Sequence, residues 1–365
     1  MKSMFPRVYC WKALLLKSSC SKAHLNRPLA ILTKQLGYSI VELMIAMLLG
    51  FLLVSGIIQF FVNNKNTYRF NEGLAHIQDN GRYAKLIMSQ DIRMTGYQGC
   101  SNNAIVTPRI LVNPPLIFFT TDKVIQGYQS VAAKIWSPIL PSSLSTQVVN
   151  NTDVITILEG SQQNFYLMNN MASSGDVINL SAANNFVTDD VLLITDCIQA
   201  DIFRATSVTL NPTTITHNFP ANISTNLSKA YQTDARVSKL LAYSYYIHNT
   251  GKTNSTGLPI LALYRQDING NNQELVAGVE NMHINYGVDT DGDSSADTYL
   301  TADAVDSGNY WPQVISVRIF LLLNSIEELG TKPQSYTFDG VSYNPTDRLL
   351  RREWDIFITL RNRVS

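Results

Sequence analysis

The feature that most constrains this chain is an apolar run near its N-terminus, from Tyr38 to Val62. The run reads YSIVELMIAMLLGFLLVSGIIQFFV, and Glu42 is the one residue in it that carries a full charge at neutral pH. As an α-helix, which rises about 1.5 Å per residue, the run would be about 37 Å long. A bilayer core is about 30 Å thick, so the run predicts one helix that crosses a membrane with some tilt.

The flanks of the run indicate a membrane anchor and not an ordinary secretory signal. A secretory signal is cut after its apolar part at a site of small residues, but this run continues into the sequence FVNNK. Residues 1–37 contain seven Lys and Arg and no Asp or Glu, so this basic leader is expected to stay in the cytoplasm. The C-terminal body is then expected to lie outside the cytoplasm.

The charge of the body argues against one class of partner. The chain has 28 basic and 28 acidic residues, and 21 of the basic ones lie beyond the leader. The body therefore has a net charge of about −7, and we expect it not to bind nucleic acid.

Glu42 is open to two interpretations from its position alone. A carboxylate inside a membrane helix costs a few kcal/mol, so it commonly marks a functional contact with a partner charge. Because Glu42 lies only a few residues into the run, it could equally be solvated at the level of the lipid headgroups.

The segment LGYSIVEL, residues 36–43, resembles the processing site of type IV prepilins. In that family a basic leader ends in glycine, the first mature residue is hydrophobic and the fifth is glutamate. The resemblance implies that a prepilin peptidase cleaves between Gly37 and Tyr38 and methylates the new amino terminus. It also implies that Glu42 meets the terminal amine of a neighbouring subunit. Opposite charges 4 Å apart attract by about 4 kcal/mol at an effective dielectric constant near 20.

The helical pattern continues beyond Val62. Apolar residues recur there at helical spacings, at Tyr68, Leu74, Ile77, Ala84, Ile87 and Met94. Residues 38–107 contain no proline, and Gly96 and Gly99 supply a stop signal. We therefore predict one helix that ends at about Met94. Gly73 and Gly81 weaken it locally, which is consistent either with packing against neighbours or with local melting.

After residue 100 the composition favours strands and loops. Short apolar runs at 154–158, 177–180 and 191–195 are typical of strands, whereas 150–170 and 211–226 are rich in Asn and predict exposed loops. Alternating apolar residues at 282–288, 315–321 and 354–360 predict three half-buried strands of one antiparallel sheet.

The predicted fold class is α+β, with a long N-terminal transmembrane and amphipathic helix packed on a C-terminal antiparallel β-sheet domain, as in type IV pilins. The expected segments are a leader at 1–37 that is removed, a transmembrane half-helix at 38–62, an amphipathic half-helix at 63–95 and an extracytoplasmic β-rich domain at 96–365.

The four cysteines divide evenly between leader and body. Cys10 and Cys20 lie in the leader, and Cys100 and Cys197 lie in the body. Once the leader is removed, the exported part has the two cysteines that one disulfide needs. Two buried free thiols in a reducing compartment are the alternative.

Three further segments resemble the PilW-type minor pilins, which are larger than the major subunit. They are DIRMTGYQGC at 91–100, TDC at 195–197, and RLLRR at 348–352 leading to LRNR at 360–363. The resemblance implies a minor pilin that helps to assemble a type IV pilus, or fimbrium, in its priming or tip complex. The expected partners are other minor pilins, the major pilin, the prepilin peptidase and the inner-membrane assembly platform. The resemblance implies a precursor in the inner membrane with its body in the periplasm, and the extracellular pilus as the final location.

The arginines of the last segments allow two interpretations. Arg348, Arg351, Arg352, Arg361 and Arg363 predict a solvated strand edge or, alternatively, a contact with another subunit.

An acidic loop at 289–297 has the spacing of a calcium site. Asp289, Asp291, Asp293 and Asp297 occupy positions 1, 3, 5 and 9 of the loop, and carboxylates so spaced can surround Ca²⁺. The match to an EF-hand is incomplete, because Gly292 is at position 4 and Leu300 at position 12. A calcium loop and a solvated acidic turn both remain open, and no cofactor is required.

No catalytic set is evident in the sequence. The five histidines are scattered, and the sequence contains no HExxH, P-loop, GxSxG or CxxC motif, so we predict that the chain is not an enzyme. The alternatives to a pilus subunit are a type II secretion pseudopilin, which shares the anchor and Glu42 but tends to be shorter, and a membrane-anchored binding protein.

Overall fold

The computed structural model describes residues 37–100, 106–114, 124–181, 185–210 and 212–363. Residues 1–36 of the predicted leader, with Cys10 and Cys20, lie outside the described residues. The chain divides into two compact units that meet between Phe60 and Phe61. The boundaries of the four segments predicted from the sequence stay predictions.

One long helix, α1, begins at Ile40 and ends at Arg93. In the first unit its apolar side chains are exposed, with Phe51 at 74% and Leu53 at 70% of their full accessibility. Within the part of the chain that the structure describes, α1 is the one helix long and apolar enough to cross a membrane. The long helix is therefore confirmed, and it ends one residue before the predicted Met94.

In the second unit α1 buries a single face. Ile77, Gly81, Ala84, Met88 and Ile92 line it, each three or four residues after the last, as one stripe of an α-helix requires. The predicted stripe was wrong at Tyr68, which is 68% exposed. It also missed Met88 and Ile92.

Ten described strands form the largest sheet. They are β1 (Arg109–Ile110), β2 (Ile125–Ala132), β3 (Ile135–Ser137), β4 (Val154–Gly160), β5 (Phe165–Tyr166), β7 (Val191–Thr195), β8 (Ala200–Arg204), β11 (Arg236–Thr253), β12 (Pro259–Asp267) and β13 (Asn272–Ala277). The main order is β1-β8-β7-β11-β4-β2-β3, while β12 and β5 also pair with β11, and β13 pairs with β12. Pairing is antiparallel except between β1 and β8, which are parallel, so the prediction of a purely antiparallel domain was wrong at this one edge.

A second sheet has four described strands in the order β15-β14-β16-β19. Their bounds are Thr298–Thr301 for β15, Val279–Val288 for β14, Val314–Asn324 for β16 and Arg351–Thr359 for β19. Ile319 pairs with Ile284 on one side and with Ile356 on the other. The three alternating segments are thus confirmed as neighbours in one antiparallel sheet, which we call the C-terminal sheet.

Smaller elements complete the second unit. A three-stranded sheet contains β6 (Ile178–Leu180), β10 (Thr213–Thr216) and β9 (Ser207–Thr209), and a hairpin contains β17 (Tyr336–Phe338) and β18 (Val341–Tyr343). Short helices are α2 (Ser142–Ser145), α3 (Ala302–Ser307) and a 3-10 turn at Trp311–Gln313. The prediction of an exposed loop over 150–170 was wrong for β4, whose seven residues are all buried.

The core of the second unit is divided among several clusters. The largest joins Ile77, Ala84, Met88 and Ile92 of α1 to the C-terminal sheet and to parts of β2, β4, β11, β12 and β13. Two others have their buried residues between Leu111 and Tyr246 and contain no residue of α1. A small one, of Phe320, Leu322 and Phe338, covers the opposite face of β16. The prediction that β16 is half-buried was therefore wrong, because the β17–β18 hairpin covers its second face.

Candidate functional site

The predicted processing and docking residues lie in the first unit. Glu42 is in the first turn of α1, where a negative charge interacts favourably with the helix dipole. Tyr38, just before the helix, is 84% exposed, and a Cβ atom built on Gly37 would meet no heavy atom within 4 Å. Cleavage after Gly37, methylation of Tyr38 and docking through Glu42 stay predictions.

The C-terminal end of α1 brings together segments that are far apart in the sequence. The backbone N–H of Arg361 donates to the carbonyl oxygen of Arg93 at 3.1 Å. The side-chain amide of Asn362 donates to the carbonyl oxygens of Met94 and Thr95, both at 3.2 Å. Carbonyl groups at a helix end lack partners within the helix, so the end of the chain satisfies groups that α1 leaves open.

A disulfide ties a third segment to the same end of the helix. Cys100 and Cys197 are bonded, with 5.6 Å between their Cα atoms, and they are 97 positions apart in the sequence. The guanidinium of Arg236 at the start of β11 donates to the carbonyl oxygen of Gly99. The segments at 91–100, 195–197 and 360–363 that carry the sequence resemblance therefore meet around the end of α1.

A polar cluster that the sequence did not reveal joins the last turn of α1 to the ten-stranded sheet. The Asp91 carboxylate accepts hydrogen bonds from the Tyr245 hydroxyl and, at 2.8 Å, from the guanidinium of Arg265. That guanidinium lies 4.4 Å from the centre of the Tyr243 ring. Burial, and next the charge of Asp91, raise the pKa of nearby Glu159 to about 8. Glu159 is therefore mostly protonated at neutral pH, and Asp91 holds the negative charge that pairs with Arg265.

Gly81 provides a second junction, between α1 and the C-terminal sheet. A Cβ atom built on Gly81 would lie 2.2 Å from Cε2 of Trp354 in β19, closer than any real contact. Of the two interpretations that the sequence left open for this glycine, the geometry favours packing. Glycine lets the indole ring rest directly on the backbone of the helix.

Two of the five arginines near the C-terminus are largely internal, whereas Arg348, Arg352 and Arg361 are exposed. Arg351 has a 5% exposed side chain and pairs with Glu280 at 2.6 Å and with Asp347 at 2.7 Å. Arg363 donates to the carbonyl oxygens of Trp311 at 2.9 Å and Pro312 at 2.7 Å, and burial lowers its pKa to about 10. The prediction of a solvated strand edge was therefore wrong for Arg351 and Arg363, because both hold parts of the second unit together.

The acidic loop between β14 and β15 brings three of its four carboxylates together. Oxygen atoms of Asp289, Asp291 and Asp297 lie within 4.8 Å of one another, while Asp293 is not part of this group. The loop also binds its own backbone: Asp297 accepts from the N–H of Thr290 at 2.7 Å, and Asp289 accepts from that of Gly292 at 2.7 Å. The hydroxyl and N–H of Thr290 lower the pKa of Asp297. Calcium binding by Asp289, Asp291, Asp293 and Asp297 stays a prediction.

A comparison with models of protein families gives a match. A family model described as Type IV Pilus-assembly protein W matches residues 244–362. That range runs from within β11 to just beyond β19, so it covers the C-terminal sheet and the residues at 360–362 that close the end of α1. No curated protein and no solved structure matches the chain.

Proposed function

Because the chain is a PilW-type pilus-assembly protein, we propose that it acts as a minor pilin, a subunit that is built into a type IV pilus. The proposal is based on the two parts of α1. Its first part is an apolar helix of membrane-spanning length that begins with Glu42 in its first turn. Its second part packs into the core of the sheet that the family model matches.

The proposed route begins with processing. A prepilin peptidase cuts between Gly37 and Tyr38 and methylates the new terminus, which leaves a positive charge four residues before Glu42. Either charge alone is unfavourable in lipid, whereas the amine of one subunit and the carboxylate of another attract each other by about 4 kcal/mol at 4 Å. Pairing between subunits therefore favours the filament over the separate monomers.

The proposed place of the subunit is the priming or tip complex, together with other minor pilins and in contact with the major pilin and the inner-membrane assembly platform. The body is expected to lie in the periplasm before assembly and in the extracellular pilus afterwards. The match to a pilus-assembly family favours this role over that of a type II secretion pseudopilin. Deletion of the gene is therefore expected to reduce the number of pili and to leave type II secretion unchanged.

Two measurements test the proposal. Mass spectrometry of the protein from sheared pili should find an N-terminal peptide that begins with N-methylated Tyr38. Replacement Glu42→Ala should leave the protein in the membrane and strongly deplete it from pili. The matched control is Glu72→Ala, which removes an exposed carboxylate from the same helix within the second unit. An unprocessed N-terminus, or equal amounts of Glu42→Ala and Glu72→Ala protein in pili, would contradict the proposal.

A further inference from the structure

Strand β11 changes its neighbour along one of its edges. Its pairing with β7 ends at Lys239 opposite Leu192, and its pairing with β12 begins at Tyr243 opposite Asp267. On its other edge β11 stays paired with β4, from Leu240 to Tyr245. Between β7 and β12, residues 240–242 therefore form a short edge that faces no strand among those described.

The direction of the backbone groups on this edge follows from one hydrogen bond. The carbonyl oxygen of Lys239 accepts from the N–H of Ser161, on the side of β4. Backbone groups of successive residues in a strand point to opposite edges, so those of Leu240 and Ala242 point to the open edge. The pairing with β7 ends at the N–H of Leu240, and the pairing with β12 begins at the carbonyl of Ala242. The Leu240 carbonyl and the Ala242 N–H therefore face the gap between the two strands.

Both residues are buried, since Leu240 is 4% exposed and Ala242 is 2% exposed. A buried backbone donor or acceptor without a partner is costly, and nearly all such groups in native proteins are paired. A carbonyl and an N–H two residues apart on the same edge are the groups that an added strand binds.

A cavity of about 340 Å³ lies at this edge. Its size falls within the range of pockets that hold small ligands. Its walls are the start of β7 on one side and the turn between β12 and β13 on the other, with the amide side chains of Asn269, Asn271, Asn272 and Gln273. No described part of the chain fills it.

The charged groups in the walls already have partners. Lys239 pairs with Asp190 at 2.9 Å, and Arg265 pairs with Asp91 at 2.8 Å. Asp267 accepts from the backbone N–H groups of Asn269 and Asn271, both at 2.9 Å. The cationic groups are therefore ion-paired and the Asp267 carboxylate is held by the backbone of its own turn, so the remaining groups of the walls suit an uncharged polar ligand.

We propose that this cavity binds a short extended peptide segment with uncharged side chains, which adds to the open edge of β11 through its backbone. This step rests on the proposed function: the segment belongs to another subunit of the same pilus. Its backbone N–H would donate to the Leu240 carbonyl, and its carbonyl would accept from the Ala242 N–H. The amide side chains of the turn would then contact its side chains.

The experiment uses the full chain in cells that assemble pili. A photo-crosslinking amino acid replaces Asn271, and in a matched control it replaces Asn249, which is also exposed and lies near the other end of the paired strands β11 and β12. We expect several-fold more adduct with another pilus subunit from position 271, and we expect the crosslinked site to map to one uncharged segment. Equal yields from the two positions, or adducts spread over many segments, would overturn the proposal.

A second variant tests whether the cavity itself is needed. The exposed side chain of Asn269 makes no hydrogen bond that the structure shows, so Asn269→Trp should fill the cavity and leave the fold intact. A synthetic peptide of the mapped segment should bind the full chain in detergent and bind Asn269→Trp about tenfold more weakly. It should also slow hydrogen exchange at the Ala242 amide. Binding that leaves this amide unchanged would overturn the backbone pairing.

Failure of this inference can be told from failure of the proposed function. If the chain enters pili but position 271 gives no adduct, the peptide site is wrong and the minor-pilin role stands. If Glu42→Ala and Glu72→Ala enter pili equally while position 271 still captures one segment, the docking role is wrong and the peptide site stands.

Discussion

The C-terminal sheet and the ten-stranded sheet differ in how they relate to α1. The core of the C-terminal sheet includes Ile77, Ala84, Met88 and Ile92 of the helix. The two clusters whose buried residues lie between Leu111 and Tyr246 include none of them. The family match covers 244–362, which holds the C-terminal sheet together with β12, β13 and most of β11, and it leaves out residues 106–243. Residues 106–243 contribute Ile125, Ile155 and Ile157 to the cluster that contains α1. We infer that the C-terminal sheet is the main support for the helix, and that residues 106–243 hold most of their own core in the two other clusters.

The largest expected effect comes from a pair of matched core truncations. Ile319 in β16 and Ile202 in β8 are both fully buried, but only Ile319 shares a cluster with α1. Replacement of either by alanine should cost about 2–5 kcal/mol of unfolding free energy. In the full chain in detergent, Ile319→Ala should speed hydrogen exchange in residues 77–92 and Ile202→Ala should not. Equal hydrogen exchange of residues 77–92 in the two variants would refute the inference that the C-terminal sheet is the main support of α1.

The junction at Gly81 tests the same support from the helix side. Alanine is favoured over glycine inside helices by about 1 kcal/mol, yet at position 81 its Cβ would overlap the Trp354 ring. We expect Gly81→Ala to lower the free energy of unfolding by about 1–3 kcal/mol, as overpacked cores do. Gly56→Ala is the control, because a Cβ there meets no heavy atom within 4 Å. Thermal unfolding that shows Gly81→Ala to be more stable than the parent would contradict the packing role.

The ten-stranded sheet should show its own pH dependence through Glu159. Its pKa is raised to about 8 in the folded state, so its protonation stabilises the fold below the ordinary pKa near 4.5 and is lost as the pH rises through 8. Between pH 6.5 and pH 8 we expect stability to fall by on the order of 1 kcal/mol per pH unit. Burial also raises the pKa of Asp153, to about 6, so most of its titration lies below this window.

A substitution at Glu159 isolates the contribution of its carboxyl group to the pH dependence. Glu159→Gln should flatten the decline in stability between pH 6.5 and pH 8, as measured by urea unfolding of the full chain in detergent. Asp234→Asn, which removes an exposed carboxylate before β11, should keep the slope of the parent. A slope unchanged by Glu159→Gln would show that another group titrates.

The two regions also differ in how far the sequence predicted them. In β14 and β19 the buried residues alternate with exposed or half-exposed ones, and this alternation was visible in the sequence. In β4 and β7 every residue is buried, so no alternation exists to set register or neighbours. The runs 154–158 and 191–195 predicted strands, but not that both pair with β11.

The contacts between α1 and the two sheets could not be predicted from the sequence, for a different reason. Asp91 meets Tyr245 and Arg265 across more than 150 positions, and Gly81 meets Trp354 across more than 250. Local patterns indicate which face of an element is apolar, but not which distant side chain covers it. The spacing of Gly37 and Glu42 is informative without any fold, because the expected chemistry of that segment depends on neighbouring residues alone.

The acidic loop gives the smallest expected effect, and it lies on the C-terminal sheet. Extracellular calcium sites commonly have dissociation constants of about 0.1–1 mM, so about 5 mM Ca²⁺ at a site of 1 mM should add about 1 kcal/mol to the free energy of unfolding. The same addition to an Asp289→Asn variant should have no effect, because Asp289 belongs to the group of three carboxylates that lie together. Calorimetric titration of the full chain in detergent provides the check. If Ca²⁺ changes neither the heat signal nor the melting temperature of the parent, the loop is an acidic turn held by its own hydrogen bonds.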